Sequence, residues 1–379
     1  MTNKIVFNPF LIVFCFLLVA CTSNTYEDII EIEEETTLTL KWNKAYGDDT
    51  LEKSIIGLRW TLSYMGATIP AATNGITSEN NFIEIDLDKI GFTIEAIQKI
   101  LQLHEVIKTS DEYSVTGAID MGRYVTLLLG SAEHYYEITG VPNLLSEVLD
   151  KYELQLDMGY VNNSGVSFEH RIISFSEQNG FNQLFFCTER DRITNEILEY
   201  ETVEILPNGQ PRFGVFDANG FRKNSTDPLH SNAGKPAKCM WCHESGIQPL
   251  FSVQDDFEGF IPYLDFKDTL SNFNSSHRNL QNALIDGVNF EETQQHTFAE
   301  FLYILFMEPS AERLSLEWGI SVSEVEDLLS SLSTHSQEEF LFFENLYFRE
   351  EVEPFAPFNG LQVSSSVREQ SEIEVNYIN

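Results

Sequence analysis

Two cysteines three positions apart, with a histidine directly after the second, lie in the segment AKCMWCHES at residues 237–245. In a helix, positions i, i+3 and i+4 share one face, so Cys239, Cys242 and His243 are expected to face the same way. Pro236 suits the first position of a helix, and Gly246 suits the residues that end one. The sequence therefore predicts one helical turn that presents two thiols and an imidazole together.

The N-terminus predicts export from the cell interior. Residues 10–20 form an apolar run that follows a single charged residue, Lys4. This run suits a secretory signal and is shorter than the ~20 residues needed to span a bilayer. It ends in the sequence LVAC, which resembles a bacterial lipobox. The resemblance implies that residues 1–20 are removed and that Cys21 becomes a lipid-bearing N-terminus, whereas a soluble signal with a coincidental cysteine is the alternative.

Residues 21–40 are predicted to be an acidic tether, because six carboxylates occupy the nine positions 27–35. Such a run repels itself and stays solvated and extended. It also resembles the acidic stretch that marks some Gram-negative lipoproteins for surface display, and Thr22 after the cysteine resembles outer-membrane sorting. We therefore expect a lipid anchor in the outer membrane, on its periplasmic or cell-surface face.

The charge of the chain restricts its partners. It has 59 acidic and 23 basic residues, for a formal net charge of −36 at pH 7. Nucleic acids and anionic lipid surfaces are repelled by that charge, whereas a cationic protein is attracted and steered on approach. The expected partners are thus the membrane, through the N-terminal lipid, and a cationic redox protein.

The hydrophobic patterns predict an α+β fold. Residues 93–108 repeat apolar side chains at helical spacing behind Thr93, and Asp120 is expected to cap a second helix. Short β-type runs punctuated by Asn-Gly pairs, such as residues 208–209, predict a small antiparallel sheet. The predicted regions are a mainly helical N-terminal domain at 41–160, a β-rich region at 161–227, a helical domain at 228–345 and a loosely held tail at 346–379.

Cys239, Cys242 and His243 match the C-x-x-C-H pattern of covalent haem attachment. In that pattern the thiols bond the two vinyl groups and the imidazole ligates the iron. The segment from about residue 228 resembles c-type cytochromes, in which a later Pro-Leu pair, here Pro249 and Leu250, often orients the proximal histidine. The resemblance implies one covalent haem c with His243 as its proximal ligand.

Other uses of the cysteine pair remain open. A disulfide across two intervening residues constrains the unfolded chain little, and a thioredoxin-type pair needs a preceding strand that HSNAGKPAK does not resemble. A zinc site would have three ligands here at most. Cys187, in an apolar strand, is expected to be a buried inert thiol.

The ligand on the far side of the iron is less restricted. Met307 lies 64 residues after His243, a separation that resembles small soluble cytochromes, yet it ends an apolar helix where core methionines are common. The rival ligands are His296, His277 and His230, and an open or water-filled position is the third alternative.

The sequence thus predicts a lipid-anchored extracytoplasmic protein with one haem c, which transfers single electrons or senses redox state and is not primarily an enzyme. One C-x-x-C-H motif argues against multihaem wires and dihaem peroxidases. The alternative is a haem-free surface lipoprotein for binding or adhesion, with a Cys239–Cys242 disulfide.

Overall fold

The computed structural model describes residues 35–292, 294–343 and 345–378. The signal segment, Cys21 and the acidic run up to residue 34 lie outside these residues, so the predictions about them stay predictions. Helices and largely antiparallel sheets alternate along the described chain, which confirms the α+β class. The described residues from Thr36 onward form one compact unit.

A four-stranded sheet and seven helices make up the first part of the described chain. The strands are β1 (Thr37–Lys41), β2 (Ile76–Glu79), β3 (Phe82–Asp86) and β4 (Ile119–Asp120), in the order β2-β3-β1-β4. The helices are α1 (Leu51–Tyr64), α2 (Leu87–Ile90), α3 (Ile94–Lys108), α4 (Asp111–Thr116), α5 (Met121–Gly130), α6 (Ala132–Thr139) and α7 (Leu145–Leu149).

Local sequence signals explain where several of these elements begin. The side chains of Thr93 and Asp120 accept hydrogen bonds from backbone N–H groups in the first turns of α3 and α5, as predicted. The predicted tether is shorter than expected at its C-terminal end, because Leu38 and Leu40 are buried in strand β1. Their alternation with polar residues is the period-two pattern of a strand with one buried face.

The second sheet is antiparallel throughout and has the order β5-β6-β7-β8-β9. Asn208 and Gly209 lie in the turn between β8 and β9, where Gly209 has a φ of 82°, a left-handed conformation that glycine adopts readily. The predicted β-rich region is thus present. Its strands are β5 (Gly159–Val161), β6 (His170–Phe175), β7 (Leu184–Arg190), β8 (Ile197–Ile205) and β9 (Pro211–Asp217).

Helices return after the second sheet. They are α8 (Pro236–His243), α9 (Tyr263–Asn282), α10 (Thr297–Met307), α11 (Ala311–Trp318), α12 (Val322–Leu328) and α13 (Arg349–Val352), followed by a 3₁₀ turn at Glu353–Phe355.

Helix α10 packs directly against α1 and α5, so the predicted N-terminal and C-terminal domains share one core. Glycines permit this approach. A Cβ on Gly57 would lie 2.4 Å from the carbonyl oxygen of Phe298, and one on Gly122 would lie 2.7 Å from the Cβ of Phe306. Because these contacts join residues far apart in sequence, the local patterns that predicted separate domains could not show them.

Buried charges surround Phe306. The guanidinium carbons of Arg123, Arg313 and Arg349 lie 4.9, 5.5 and 4.1 Å from the centre of its ring. Carboxylates from several helices neutralise these cations, which a buried charge requires. The pairs include Arg123 Nε with Glu112 Oε2 at 2.7 Å, Arg349 Nη1 with Glu317 Oε1 at 2.8 Å, and Arg313 Nη2 with Asp120 Oδ1 at 2.7 Å.

The C-terminal residues are held more closely than the predicted loose tail. Val367, Val375 and Ile378 are buried. The buried ammonium of Lys235, directly before α8, donates to the Gly130 carbonyl at 2.8 Å and also pairs with Glu374. It donates further to the carbonyl of Ser366 at 3.0 Å and to the Ser371 hydroxyl at 2.6 Å. A buried ammonium must find such acceptors, and the tail supplies three of them.

Replacing Lys235 by Met is expected to lower the free energy of unfolding by about 2 to 4 kcal/mol, because buried carbonyls and Glu374 lose their donor. Chemical denaturation of the purified protein measures this loss. The matched control is Lys151→Met at an exposed position, for which we expect a change within about 0.5 kcal/mol. Equal effects of the two substitutions would contradict the role given to Lys235.

Buried titratable groups give the fold a defined pH dependence. Burial lowers the pKa of His104 to about 3 and that of His277 to about 4. Below pH ~6.5 these two histidines therefore bind protons in the unfolded chain before they do so in the folded chain, which lowers the stability of the folded chain. Burial would raise the pKa of Glu317, but Arg349 and Arg313 lower it to about 2. In contrast, burial raises the pKa of Glu112 to about 7 and that of Glu300 to about 8.

The protein is therefore expected to be most stable between roughly pH 4.5 and 6.5. As pH falls from 8 towards 4.5, Glu112 and Glu300 bind protons preferentially in the folded state and add stability. Below pH ~6.5 the histidines oppose this gain, and below pH ~4.5 the salt-bridged Glu317 adds a further loss. Urea unfolding midpoints measured from pH 3 to pH 8 test this profile, and a midpoint that rises below pH 4 would contradict it.

Candidate functional site

Helix α8 carries the cysteine and histidine motif. Pro236 occupies its first turn, as predicted, and His243 is its last residue. The chain reverses at Glu244, which has a φ of 54°, so the helix ends three residues before Gly246. Ala237 and Met240 are buried in the main core. These two residues fix one face of the helix in the core. The motif residues lie on another face.

Cys239, Cys242 and His243 line a single cavity, as the spacing i, i+3 and i+4 predicts. The cavity holds about 150 Å³ of space for a water-sized molecule and opens on solvent. Its walls are mainly apolar, as is typical of cofactor pockets. The apolar residues here come from the second sheet and from the segments after α8, and include Val161, Ile173, Phe185, Val203, Ile247, Leu250, Phe251 and Leu270.

The two motif thiols are held in their neutral form. Burial raises the pKa of Cys239 strongly, and Glu201 raises it further. Burial also raises the pKa of Cys242, although Lys238 and Arg368 act in the opposite direction. A disulfide-exchange enzyme needs an attacking thiol whose pKa is lowered, so these thiols lack the electrostatic setting of such a pair.

The imidazole of His243 is neutral near pH 7. Burial lowers its pKa to about 4, and the positive charge of Arg171 lowers it in the same direction. The ring centre lies 5.7 Å from that of Phe213 in β9. Its Nδ1 atom is buried and has no hydrogen-bond partner among the described residues. Neutral imidazole is the form that ligates metals, and an unpaired buried ring nitrogen requires a physical explanation.

Two members of a charged cluster on the sheet, Arg171 and Glu201, line the cavity. Arg171 Nε donates to Glu189 Oε2 at 3.0 Å, and its Nη2 pairs with Glu201. Carboxylate oxygens of Glu189, Glu199 and Glu201 lie within 4.8 Å of one another, a spacing that also suits a metal ion. Lys223 Nζ lies 2.9 Å from Glu199 Oε2. Two cations of the chain thus already offset much of this negative charge.

This charged cluster was not among the site residues predicted from the sequence. A signal was present in β8, where Glu199 and Glu201 alternate with Tyr200 and Thr202. Residues at i and i+2 of a strand share a face, so the two carboxylates had to lie together. The partners Arg171 and Glu189 lie on neighbouring strands, and strand pairing was needed to place them.

The structure places the proposed distal ligands away from the cavity. Met307 lines a different cavity with Tyr303 and Arg368. His296 Nε2 lies 3.6 Å from Glu244 Oε1, and His230 Nδ1 lies 3.5 Å from Glu169 Oε1.

His277 is buried on α9, where its ring meets that of Phe181. Among the described residues that line the motif cavity, His243 is the sole histidine and no methionine occurs. Pro249 does not line it either, although Leu250 does. Pro249 therefore makes no contact with the cavity that would support the orienting role expected for it.

Cys187 lies in strand β7 and is buried, and its side chain lines the same cavity. Burial raises the pKa of its thiol well above the usual value. A buried neutral thiol is what the sequence predicted, but its position beside the motif was not predicted.

Comparison with known proteins gives no relative for this chain. No family model matches it, and neither the curated proteins nor the solved structures contain a significant match. Within the described part of the chain, no helix combines the length and hydropathy that a membrane crossing requires.

Proposed function

We propose that this protein carries one haem c in the cavity beside α8 and uses it for one-electron transfer outside the cytoplasm. The observation that carries the proposal is the convergence of Cys239, Cys242 and His243 on one cavity with largely apolar walls. Haem supplies one-electron redox chemistry when it is bound. The chain would supply the attachment, the proximal ligand and the exclusion of water.

The residues present fit this group chemically. Each thiol of the pair would add across one vinyl group, so that a carbon–sulfur bond forms and the thiol proton goes to the other vinyl carbon. His243 is neutral and therefore able to ligate iron. Its Nδ1 atom is buried and has no hydrogen-bond partner among the described residues. Apolar residues such as Phe185 and Leu270 would keep water from the group, and such burial affects the reduction potential.

The proposed location rests on the N-terminal sequence. Cys21 would carry the lipid and residues 21–34 would separate it from the folded unit, which begins at Thr36. The outer membrane, on either face, remains our proposed site, with a cationic protein as redox partner. The mass of the mature N-terminal peptide distinguishes an acylated Cys21 from a free one.

Covalent haem is expected on the full-length protein exported from cells that have the cytochrome c maturation machinery. Its absorption should stay with the polypeptide after denaturation. The double variant Cys239→Ala with Cys242→Ala should lose it completely, because no thioether can form. The matched control is Cys187→Ala, which removes a thiol from the same cavity and should retain the covalent haem. A correctly exported wild-type protein without haem would overturn the proposal and favour the haem-free binding lipoprotein.

A further inference from the structure

We propose that the sixth coordination position of the iron is reserved for a small uncharged diatomic molecule, and not for a protein side chain or an anion. This inference rests on the proposed function, because it requires the haem.

The two charged side chains of the cavity that have a suitable ligand atom are already engaged in ion pairs. Lys238 Nζ is paired with Glu369 Oε1 at 2.5 Å. Glu201 is paired with Arg171. Cys187 is a buried thiol whose pKa is raised, so it has little of the thiolate that iron prefers. With no second histidine and no methionine among the described lining residues, the chain supplies no ready sixth ligand.

The charges near the cavity disfavour an anion. Arg171 is the cation on the sheet wall, but Glu189 and Glu201 flank it and Glu199 lies close to both carboxylates. An anion entering here would lose its hydration and meet an arginine that is already paired with two carboxylates. Lys238 is likewise neutralised by Glu369.

The rest of the cavity suits a small uncharged molecule. Ile173, Phe185 and Val203 belong to the sheet, and Phe251 and Leu270 come from the chain after α8. An apolar wall imposes no desolvation penalty on a diatomic gas, whereas it penalises a charged ligand. The ligand class that fits is therefore the small neutral π-acceptors, for which carbon monoxide is the probe.

The experiment uses the full-length haem-loaded protein and difference spectroscopy. The reduced protein is titrated with carbon monoxide and the oxidised protein with azide, which is an anion at pH 7. We expect a saturable spectral change with carbon monoxide and weak azide binding. Glu201→Gln should tighten azide binding roughly tenfold, since it frees donors of Arg171, and should leave carbon monoxide affinity within about twofold. The matched control is Glu105→Gln, an exposed carboxylate on α3, which should change neither affinity.

The outcomes separate this inference from the proposed function. A protein with covalent haem that shows no spectral change with carbon monoxide would overturn the open sixth position and leave electron transfer standing. This measurement needs only the wild-type protein, so it does not depend on the folding of any variant. Azide that binds the wild type and Glu201→Gln equally would overturn the charge argument. A protein without covalent haem would overturn the proposed function itself.

Discussion

The buried ammonium of Lys235 joins three distant parts of the chain at the start of the motif helix. It binds the end of α5 through Gly130 and the C-terminal segment through Ser366 and Glu374. Its own backbone N–H donates to the carbonyl oxygen of Arg368 at 2.7 Å. Because a buried cation without acceptors is very costly, these contacts have to form together. The position of α8, and with it one wall of the cavity, depends on this arrangement.

A second contact from the C-terminal segment stabilises the same helix. The guanidinium of Arg368 lies 4.5 Å from the ring centre of Trp241, the residue between Met240 and Cys242. The same side chain donates from Nε to the Tyr303 hydroxyl at 2.7 Å, which links it to α10. The helix is thus also held through Trp241. The chain after residue 346 is part of the site's scaffold for this reason.

Local sequence signals predicted the parts of the fold that depend on neighbouring residues. Thr93 and Asp120 cap helices, Gly209 forms the turn between β8 and β9, and the motif spacing places three side chains together. The contacts that the sequence did not reveal join residues far apart. Lys235 reaches acceptors 105 to 139 positions away, and no periodicity encodes such a pairing. Met307 has the right separation from His243, but the packing of α10 on α1 and α5 directs it to another cavity.

Charge pairing in the interior also affects which charges a partner molecule meets. Arg123, Arg313 and Arg349 are buried and neutralised by carboxylates around Phe306, and Arg171 is neutralised at the cavity wall. Each of these arginines cancels the charge of a carboxylate, so the net charge of −36 is carried by other acidic residues of the chain. A cationic protein approaching from solvent meets an acidic surface, and an anion approaching the cavity meets carboxylates near its wall. We therefore propose a cationic electron-transfer partner and an uncharged ligand on the same physical basis, the acidic excess that remains after these charges are paired.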